Sequence, residues 1–455
     1  MNDHLTGIQE TQHTLFQTVL PFGIIQRALR IYPKELKLLA WVTLIQVIMS
    51  SGSIMLNNTA QTTFLTRYGV EGLPKVFLAE ALATLLLSGL VSVLMERFRT
   101  VRVFSGLLLF YGSAVVAIRL LIPFDIDLIY PLLYVLKSQS VGILPILYWD
   151  ILNDLFTTQQ SKRLYTLISA GGVLGTTLGS LMTGGVARWI GMDKVLVIFA
   201  ACMAIAAFLN EMTERVAGAP LEVRVNRHRP GVGKRYAESL QQFMSYAKSS
   251  TLLKFMILLL AIPNMLLPLL DYQFNVIVDA HFFTEQSTLG FFGLFRGISN
   301  AAIFMVLLFS GRVITRWGVP FSLMIHPINY LAAFGAVFLS FGPLAGIYAR
   351  FSTEMLKTVL NNPARSVLYN FFPEEIRGQI RLMLRGGVVR IADFIGSGSL
   401  YLIKGVIPPP ALSLVAIPFV VAWTITVFRL RKSYSQILLT SIQSKQTDWK
   451  RLEAE

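Results

Sequence analysis

Long apolar stretches alternate with short polar breaks along most of the chain. Each stretch reaches about 20 residues or more, the length that an α-helix needs to cross a hydrocarbon core of roughly 30 Å. The pattern therefore predicts an all-α integral membrane protein with about twelve transmembrane helices. The expected spans are 37–64, 73–95, 101–123, 127–156, 163–188, 193–211, 251–280, 287–311, 319–340, 343–371, 377–404 and 411–430.

Basic residues are concentrated on one side of the predicted spans. Lys and Arg are abundant at both termini, in the polar break at 212–250 and in every second loop, whereas the other loops contain few of them. By the positive-inside rule, this asymmetry predicts that both termini are cytoplasmic. The net charge of +15 then reflects orientation and attraction to the lipid bilayer, and no nucleic-acid partner is expected.

Composition excludes an ordinary soluble protein, because 54% of the residues are hydrophobic and only 14% are charged. Soluble domains have about 25% charged residues. The only cysteine is Cys202 and the five histidines are scattered, so no metal site or cofactor is predicted. The chain contains no Walker loop, nucleophile elbow or spaced pair of catalytic carboxylates, and no enzyme activity is expected.

The break at 212–250 divides the predicted spans six and six. Shifting one half onto the other by about 215 residues aligns NDLFTTQQSKRLYTLISAGGVLG with YNFFPEEIRGQIRLMLRGGVVRI, and in both a polar turn leads into a Gly-Gly helix. Halves of equal span number and orientation are typical of parallel repeats. The predicted parts are a cytoplasmic N-terminal interfacial segment (1–36), a six-helix half (37–211), a cytoplasmic linker (212–250), a second six-helix half (251–430) and a cytoplasmic tail (431–455).

A further loop supports this arrangement. In FSGRVITRWGVPFSL, residues Gly311, Arg312, Arg316 and Gly318 resemble the basic, glycine-containing turn of the major facilitator superfamily. The resemblance implies the fold of that superfamily, with two six-helix repeats related by an axis along the membrane normal.

Two segments resemble the ATP/ADP translocase family of bacterial and plastid nucleotide transporters. The first is YWDILNDLFTTQQSKRLYTLISAGGVLG, and the second is NNPARSVLYNFFPEEIRGQIRLMLRGGVVRIADFIGSG. The resemblance implies a twelve-span carrier that exchanges nucleotides across a bacterial inner membrane. In the first segment, the matching residues are Trp149, Asn153, Lys162, Arg163, Tyr165, Gly171 and Gly175.

The chain departs from that family late in the first span. The family usually has a Lys-Asp pair there, whereas this chain has Asn57 and Asn58 in the run LNNTAQ. An asparagine can hydrogen-bond a phosphate but cannot neutralise its charge. We include Asn57 and Asn58 among the expected substrate-binding residues.

Ionisable residues at membrane depth point to a substrate site, because each costs a few kcal/mol unless it is paired or hydrated. Lys137 and Arg296 have no opposite charge within a helical turn, so we expect them to clamp an anion between the halves. The alternative is that each satisfies a buried acid on another helix, such as Glu80 or Asp271. Lys357 and Arg390 are further candidates. Each has an acid three residues away, Glu354 and Asp393, and these pairs could instead be self-contained.

A gate is expected at the cytoplasmic ends of two spans. Asp150 and Asp154 end the fourth span, and Arg377, Arg381 and Arg385 begin the eleventh. The major facilitator plan brings these ends together when a carrier opens outward. We therefore predict at least one ion pair across the two halves.

Two classes of function are consistent with the sequence. The first is a secondary transporter that moves an anionic small molecule by alternating access, either a nucleotide or, as an alternative, a lipid or another phosphate compound. The second is a non-transporting membrane scaffold or sensor built on a carrier fold. A helical stripe in the tail, formed by Tyr434, Ile437, Leu438 and Ile442, lies on the bilayer or docks a soluble partner.

Overall fold

The structure is a computed structural model that describes residues 32–124, 126–218, 241, 243–372, 377, 380–381 and 383–452. Helices make up nearly all of this part, and no strand occurs in it, which confirms the predicted all-α membrane class. The first half contains α1 (Pro33–Tyr68), α2 (Leu73–Arg97), α3 (Thr100–Leu121), α4 (Ile129–Leu155), α5 (Thr158–Ile190) and α6 (Met192–Ala217). The second half contains α7 (Thr251–Asp279), α8 (Glu285–Trp317), α9 (Val319–Leu339), α10 (Pro343–Leu356), α11 (Asn362–Tyr369), α12 (Val389–Ile403) and α13 (Leu412–Leu452).

The described residues contain 11 helices that are long and apolar enough to cross a membrane. The remaining predicted span, 343–371, is divided into α10, a π-helical turn at Lys357–Asn361 and α11. The eleventh span, predicted at 377–404, also contains a π-helical segment, Met383–Val388, which leads into α12. We call these two composite elements span 10 and span 11.

Several helices extend beyond the predicted limits. α6 continues to Ala217, inside the range predicted as linker, and α13 continues to Leu452 instead of ending near residue 430. Residues 1–31 of the predicted interfacial segment and 219–240 of the linker lie outside the described residues. In the tail, the Tyr434 ring meets the Phe371 ring edge-on at 5.8 Å, while the side chains of Ile437, Leu438 and Ile442 are outside the described part.

Successive helices connect through short turns on two faces of the bundle. The basic face holds the turns at 97–100, 155–158 and 316–319, and the opposite face holds those at 68–73, 279–285 and 339–343. The turn between α8 and α9 needs Gly318, whose φ of 80° lies in the left-handed region that favours glycine. The basic Gly-containing segment of the sequence is therefore mostly helical, because α8 continues to Trp317, and it ends in a tight turn at Gly318.

Glycines of α5 pack this helix against α1 within the first half. A Cβ atom on Gly175 would lie 2.5 Å from the carbonyl oxygen of Val47, and one on Gly179 would lie 2.6 Å from that of Ser51. The Ser51 hydroxyl donates to the Gly175 carbonyl oxygen at 2.9 Å. Small residues allow this approach because little other than packing and hydrogen bonding drives helix association in a membrane.

Within the part of the chain that the structure describes, the two halves are in close contact near the opposite face. A Cβ atom on Gly184 of α5 would lie 3.3 Å from Cα of Gly290 of α8, and one on Gly293 would lie 2.8 Å from the carbonyl oxygen of Ser180. Lys404, just beyond α12, forms an ion pair with Glu71 in the turn between α1 and α2, with Nζ and Oε2 3.5 Å apart. These contacts close the bundle at the opposite face.

Replacing Gly175 by alanine tests the α1–α5 contact. The added methyl group meets backbone atoms of α1, which cannot rotate away, so we expect overpacking to cost about 1–3 kcal/mol and to lower the melting temperature. Thermal melting of the purified variant and of the wild type measures this decrease in melting temperature. Gly185→Ala is the matched control, because a Cβ atom there has no neighbour within 4 Å. Equal melting of the two variants would contradict the contact.

Candidate functional site

A pocket of about 390 Å³ lies between span 10, span 11 and α7, with Ile146 of α4 on its far wall. Four cationic side chains line it: Lys357, Arg365, Arg385 and Arg390. Arg385 is exposed, and it lies on the side from which span 11 enters the bundle, so water reaches the pocket from the basic face. No carboxylate occurs among the lining residues, all of which belong to the described part of the chain.

The π turn in span 10 aligns four of the lining residues. Lys357, Asn361, Arg365 and Tyr369 follow one another at intervals of four. In an uninterrupted α-helix, each interval of four advances by about 40° beyond a full turn, so the series would drift by roughly 120°. A π turn contains more residues per turn and removes part of this drift. Pro363, which lacks an N–H group, directly follows the turn and favours the interruption.

The π segment in span 11 aligns two more cations. Arg385 and Arg390 are five residues apart, which would place them about 140° from each other around an α-helix. A π-helix pairs residues i and i+5, so five residues make roughly one turn. The segment Met383–Val388 has this geometry and includes Gly386 and Gly387. Both arginines consequently face the same pocket.

His326 of α9 connects the last residue of the π turn in span 10 to α10, which precedes the turn. Its Nδ1 lies 2.8 Å from Nδ2 of Asn361, and its Nε2 lies 3.2 Å from the carbonyl oxygen of Thr353. Since a carbonyl oxygen only accepts, Nε2 donates, and Nδ1 accepts from the Asn361 amide, which describes a neutral ring. Tyr330 and Trp423 meet the buried ring edge-on, each with a centroid distance of 5.1 Å. His326 therefore holds the π turn in place from behind the pocket.

The pocket has a positive excess. Lys357 and Arg390 lie beside Glu354 and Asp393, respectively. Arg365 donates to the amide oxygen of Asn362, and Arg385 interacts electrostatically with the Tyr369 side chain. Within the described residues, no carboxylate lies within ion-pair distance of Arg365 or Arg385. Four cations beside two carboxylates give a local excess of two positive charges.

Lys137 and Arg296, the first candidates from the sequence, lie elsewhere and have protein partners. Nζ of the buried Lys137 lies 3.7 Å from the centre of the Tyr134 ring, and this lysine interacts electrostatically with Glu80 of α2. The guanidinium of Arg296 donates to the amide oxygens of Asn58 and Gln61 on α1. The proposed clamp stays a prediction, but neither cation is without a partner.

Arg296 belongs to a chain of polar contacts that joins the halves. Gln61 donates in turn to Oδ1 of Asn275 on α7, and Nδ2 of Asn275 donates to the Asp271 carbonyl oxygen at 2.6 Å. The Asp271 carboxylate lies 2.7 Å from Nη1 of Arg350 on α10. We call the contacts from Arg296 through Gln61, Asn275 and Asp271 to Arg350 the central polar chain.

The two asparagines of the first span differ in their surroundings. Asn58 is fully buried and donates to the hydroxyls of Ser180 and Thr183 at 3.1 and 3.2 Å. Its amide oxygen accepts a hydrogen bond from the Arg296 guanidinium. Asn57 is half-buried. Neither lines the cationic pocket. Asn58 therefore serves the contact between the halves in this structure, and a substrate role for either residue stays a prediction.

The predicted gate residues have the following positions. Arg377 donates to the Phe372 carbonyl oxygen at 3.0 Å, the Arg381 guanidinium lies 5.1 Å from the Tyr369 ring centre, and Arg385 lines the pocket. Asp150 and Asp154 are half-buried at the end of α4. The predicted pair between α4 and span 11 belongs to the outward-open state and stays a prediction.

The polar segment between α4 and α5 folds into a turn within the first half. The Tyr165 hydroxyl donates to Asn153 Oδ1 at 2.8 Å, and the Trp149 and Tyr165 rings meet edge-on at 5.1 Å. Thr157 caps α5, and Gln160 donates to Glu35 of α1 at 3.0 Å. The side chains of Lys162 and Arg163 lie outside the described part. The polar side chains described for this segment therefore stabilise the turn between α4 and α5 and its contact with α1.

Sequence reasoning missed Arg365, Asn361, Tyr369 and His326 as site residues. Arg365 lies close to the end of the predicted span 343–371, where a basic residue is common. The spacing of four from Lys357 to Tyr369 was the available signal, and it could have identified three of them. His326 had no such signal, because its role follows from contacts between helices.

Residues 121–362, more than half of the chain, match the family described as TLC ATP/ADP transporter. The chain belongs to this family. No curated protein matches the sequence. Family membership makes the protein a multi-pass integral membrane transporter, and it confirms the resemblance found in the sequence.

Solved structures confirm the fold. The nucleoside transporter NupG is 11% identical, with a TM-score of 0.61 over 87% of this chain and 99% of that one. The POT family transporter PepTSo is 11% identical, with a TM-score of 0.65 over 88% and 98%. A bacterial homologue of the human lysosomal transporter Spinster is 14% identical, with a TM-score of 0.53 over 90% and 97%. The protein has the major facilitator fold that the sequence predicted.

Arg296→Gln and Lys137→Gln separate a structural role from a substrate-binding role. Removing Arg296 leaves the amide oxygens of Asn58 and Gln61 without their donor, at a cost of about 1–3 kcal/mol. Removing Lys137 leaves Glu80 without its cation. We expect both variants to melt at lower temperature while ATP affinity is unchanged, as measured by thermal melting and equilibrium binding.

The matched control is Arg188→Gln, because Arg188 is an exposed cation at the opposite face. It should melt like the wild type. Full thermal stability together with weakened ATP binding in the Lys137 and Arg296 variants would support the anion clamp instead.

Proposed function

We propose that the protein is a secondary transporter that exchanges nucleotides or closely related phosphate compounds by alternating access. The observation that carries this proposal is the convergence of four cations, with an excess of two positive charges, on one water-accessible pocket. A solute rich in phosphate loses hydration on entering a bundle and does so only where fixed cations replace water. The family to which the chain belongs supports the same substrate class.

The pocket also suits a molecule with an apolar part. Leu260, Pro263 and Leu267 of α7 line one wall, and Ile146 of α4 lines another. A volume of about 390 Å³ lies within the usual range of small-molecule sites. We propose that the phosphates contact Arg365 and Arg385 and that the less polar part lies against α7.

We further propose that the basic face is cytoplasmic in a bacterial inner membrane and that this conformation faces inward. The positive-inside rule supports the orientation. Closure at the opposite face through Gly184, Gly290 and the Lys404–Glu71 pair supports the inward-facing state. Transport then requires these contacts to separate while the ends of α4 and span 11 approach each other.

A lipid carrier is the second candidate. An apolar groove of about 590 Å³ between α8 and span 10 favours it, because stacked Phe282, Phe291 and Phe295 line the groove and Arg188 stands at its rim. Such a surface suits an acyl chain with an anionic headgroup. The substrate assay below includes this alternative.

Uptake into liposomes tests the substrate class. Purified protein in vesicles preloaded with ADP should take up labelled ATP, and adenosine and labelled phospholipid should not move. Arg365→Gln and Arg385→Gln should each weaken apparent ATP affinity by roughly 10- to 150-fold, because a hydrogen bond to a charged group contributes about 1.5–3 kcal/mol.

Arg429→Gln is the matched control, because Arg429 is an exposed cation of α13 outside the pocket. It should transport like the wild type. Movement of phospholipid alone would favour the lipid carrier. No movement of any solute by well-folded protein would favour the scaffold or sensor.

Cysteine labelling tests the orientation. Ser340 lies at the opposite face and Asn370 follows α11 toward the basic face, and both are exposed. In a Cys202→Ser background, an impermeant reagent should label Ser340→Cys in intact cells and should label Asn370→Cys only after lysis. The reverse pattern would place the basic face outside.

A further inference from the structure

Two of the four pocket cations already have a carboxylate beside them. Nζ of Lys357 lies 3.4 Å from Oε2 of Glu354, three residues earlier in span 10. Nη1 of Arg390 lies 3.9 Å from Oδ2 of Asp393, three residues later in α12. Neither carboxylate lines the pocket, while both cations do. An anion that enters therefore competes with a carboxylate for each of these cations.

Both ion pairs are loose enough to be displaced. Charge-assisted N–H···O bonds usually measure about 2.7–2.9 Å, and both pairs exceed this. The four side chains keep between 26% and 39% of their surface exposed. Water that reaches these partly exposed side chains weakens both ion pairs. A polyanion that is also bound by Arg365 and Arg385 can replace them.

The other two cations have neutral partners. Arg365 donates to the amide oxygen of Asn362, and Arg385 interacts electrostatically with the Tyr369 side chain. A bound anion meets no competing carboxylate at these positions within the described residues. Among the described residues, the pocket thus contains two cations with neutral partners and two that are shared with the protein's own acids.

We infer that Glu354 and Asp393 are internal counter-anions that set the affinity of the pocket for its substrate. They hold Lys357 and Arg390 while the pocket is empty, yield them to the bound anion, and return as it leaves. This inference rests on the proposed function. A carrier must release what it binds, and the returning carboxylates weaken binding and speed release.

Glu354→Gln and Asp393→Asn test the inference, because each removes one negative charge and changes little in size. We expect each variant to bind ATP at least about fivefold more tightly, as Coulomb's law predicts for one charge removed several ångströms from a polyanion. The gain should decrease from ATP to ADP to AMP and be absent for adenosine. Equilibrium binding of these four labelled compounds to purified protein measures it.

The inference also predicts opposite changes in the maximal exchange rate and in the affinity for ATP. At saturating ATP, exchange by Glu354→Gln should be slower than in the wild type, while the apparent KM should fall, because release becomes slower. Glu354→Asp keeps the charge and should restore wild-type affinity. Glu214→Gln, which breaks the ion pair with Arg99 outside the pocket, should change neither quantity.

The outcomes distinguish this inference from the proposed function. If wild-type protein binds ATP and both neutral variants bind it no more tightly, the counter-anion role is wrong and the proposed function stands. If the wild type binds none of the three nucleotides, both proposals fail. Loss of cooperative melting in a variant would assign that carboxylate to folding and count against the inference.

Discussion

The cost of placing a charge inside a bilayer is the constraint on which the arrangement of this protein depends. Each buried cation of the described bundle lies beside an acid, an amide or an aromatic ring. Lys137 rests on Tyr134 near Glu80, and Arg296 contacts Asn58 and Gln61. The pocket of the second half differs, because two of its four cations have neutral partners. Their positive charge is therefore not balanced by acids of the described residues. That surplus is what an anionic solute can use.

The two sets of buried charge have different consequences. The central polar chain connects α8, α1, α7 and span 10, so it joins the halves and can exist only while they are close. The pocket is formed mainly by the second half and is accessible from the basic face. Substrate binding and closure of the opposite face therefore use separate groups, connected through span 10, which contributes both Arg350 and Lys357.

Much of the fold could be predicted from the sequence, because span length and basic loops follow directly from hydrocarbon thickness and membrane charge. Eleven of the spans agree with that prediction. The site was harder to predict. Counting inward along straight helices placed Lys357 and Arg390 among the candidates, and both line the pocket, but it ranked Lys137 and Arg296 above them. Their partners come from other helices, which residue spacing cannot reveal.

The internal repeat shows a further limit of sequence reasoning. The aligned Gly-Gly pairs perform different tasks in the two halves. Gly171 and Gly172 contact Thr43 and Gln46 of α1, whereas Gly386 and Gly387 lie in a π-helical segment with no neighbour near a Cβ position. In the first half the Gly-Gly pair allows close helix packing, and in the second half it lies in the π-helical segment of span 11.

The π-helical segments also make the pocket sensitive to insertions and deletions in spans 10 and 11. Deleting a single residue from Lys357–Asn361 would restore an α-helical register and rotate everything beyond it by about 100°. Arg365 and Tyr369 would then turn away from the pocket, although composition, hydropathy and net charge would hardly change. The same holds for Arg390 beyond Met383–Val388. Relatives that differ by one residue in either segment should therefore differ in cargo, even where every cation is retained.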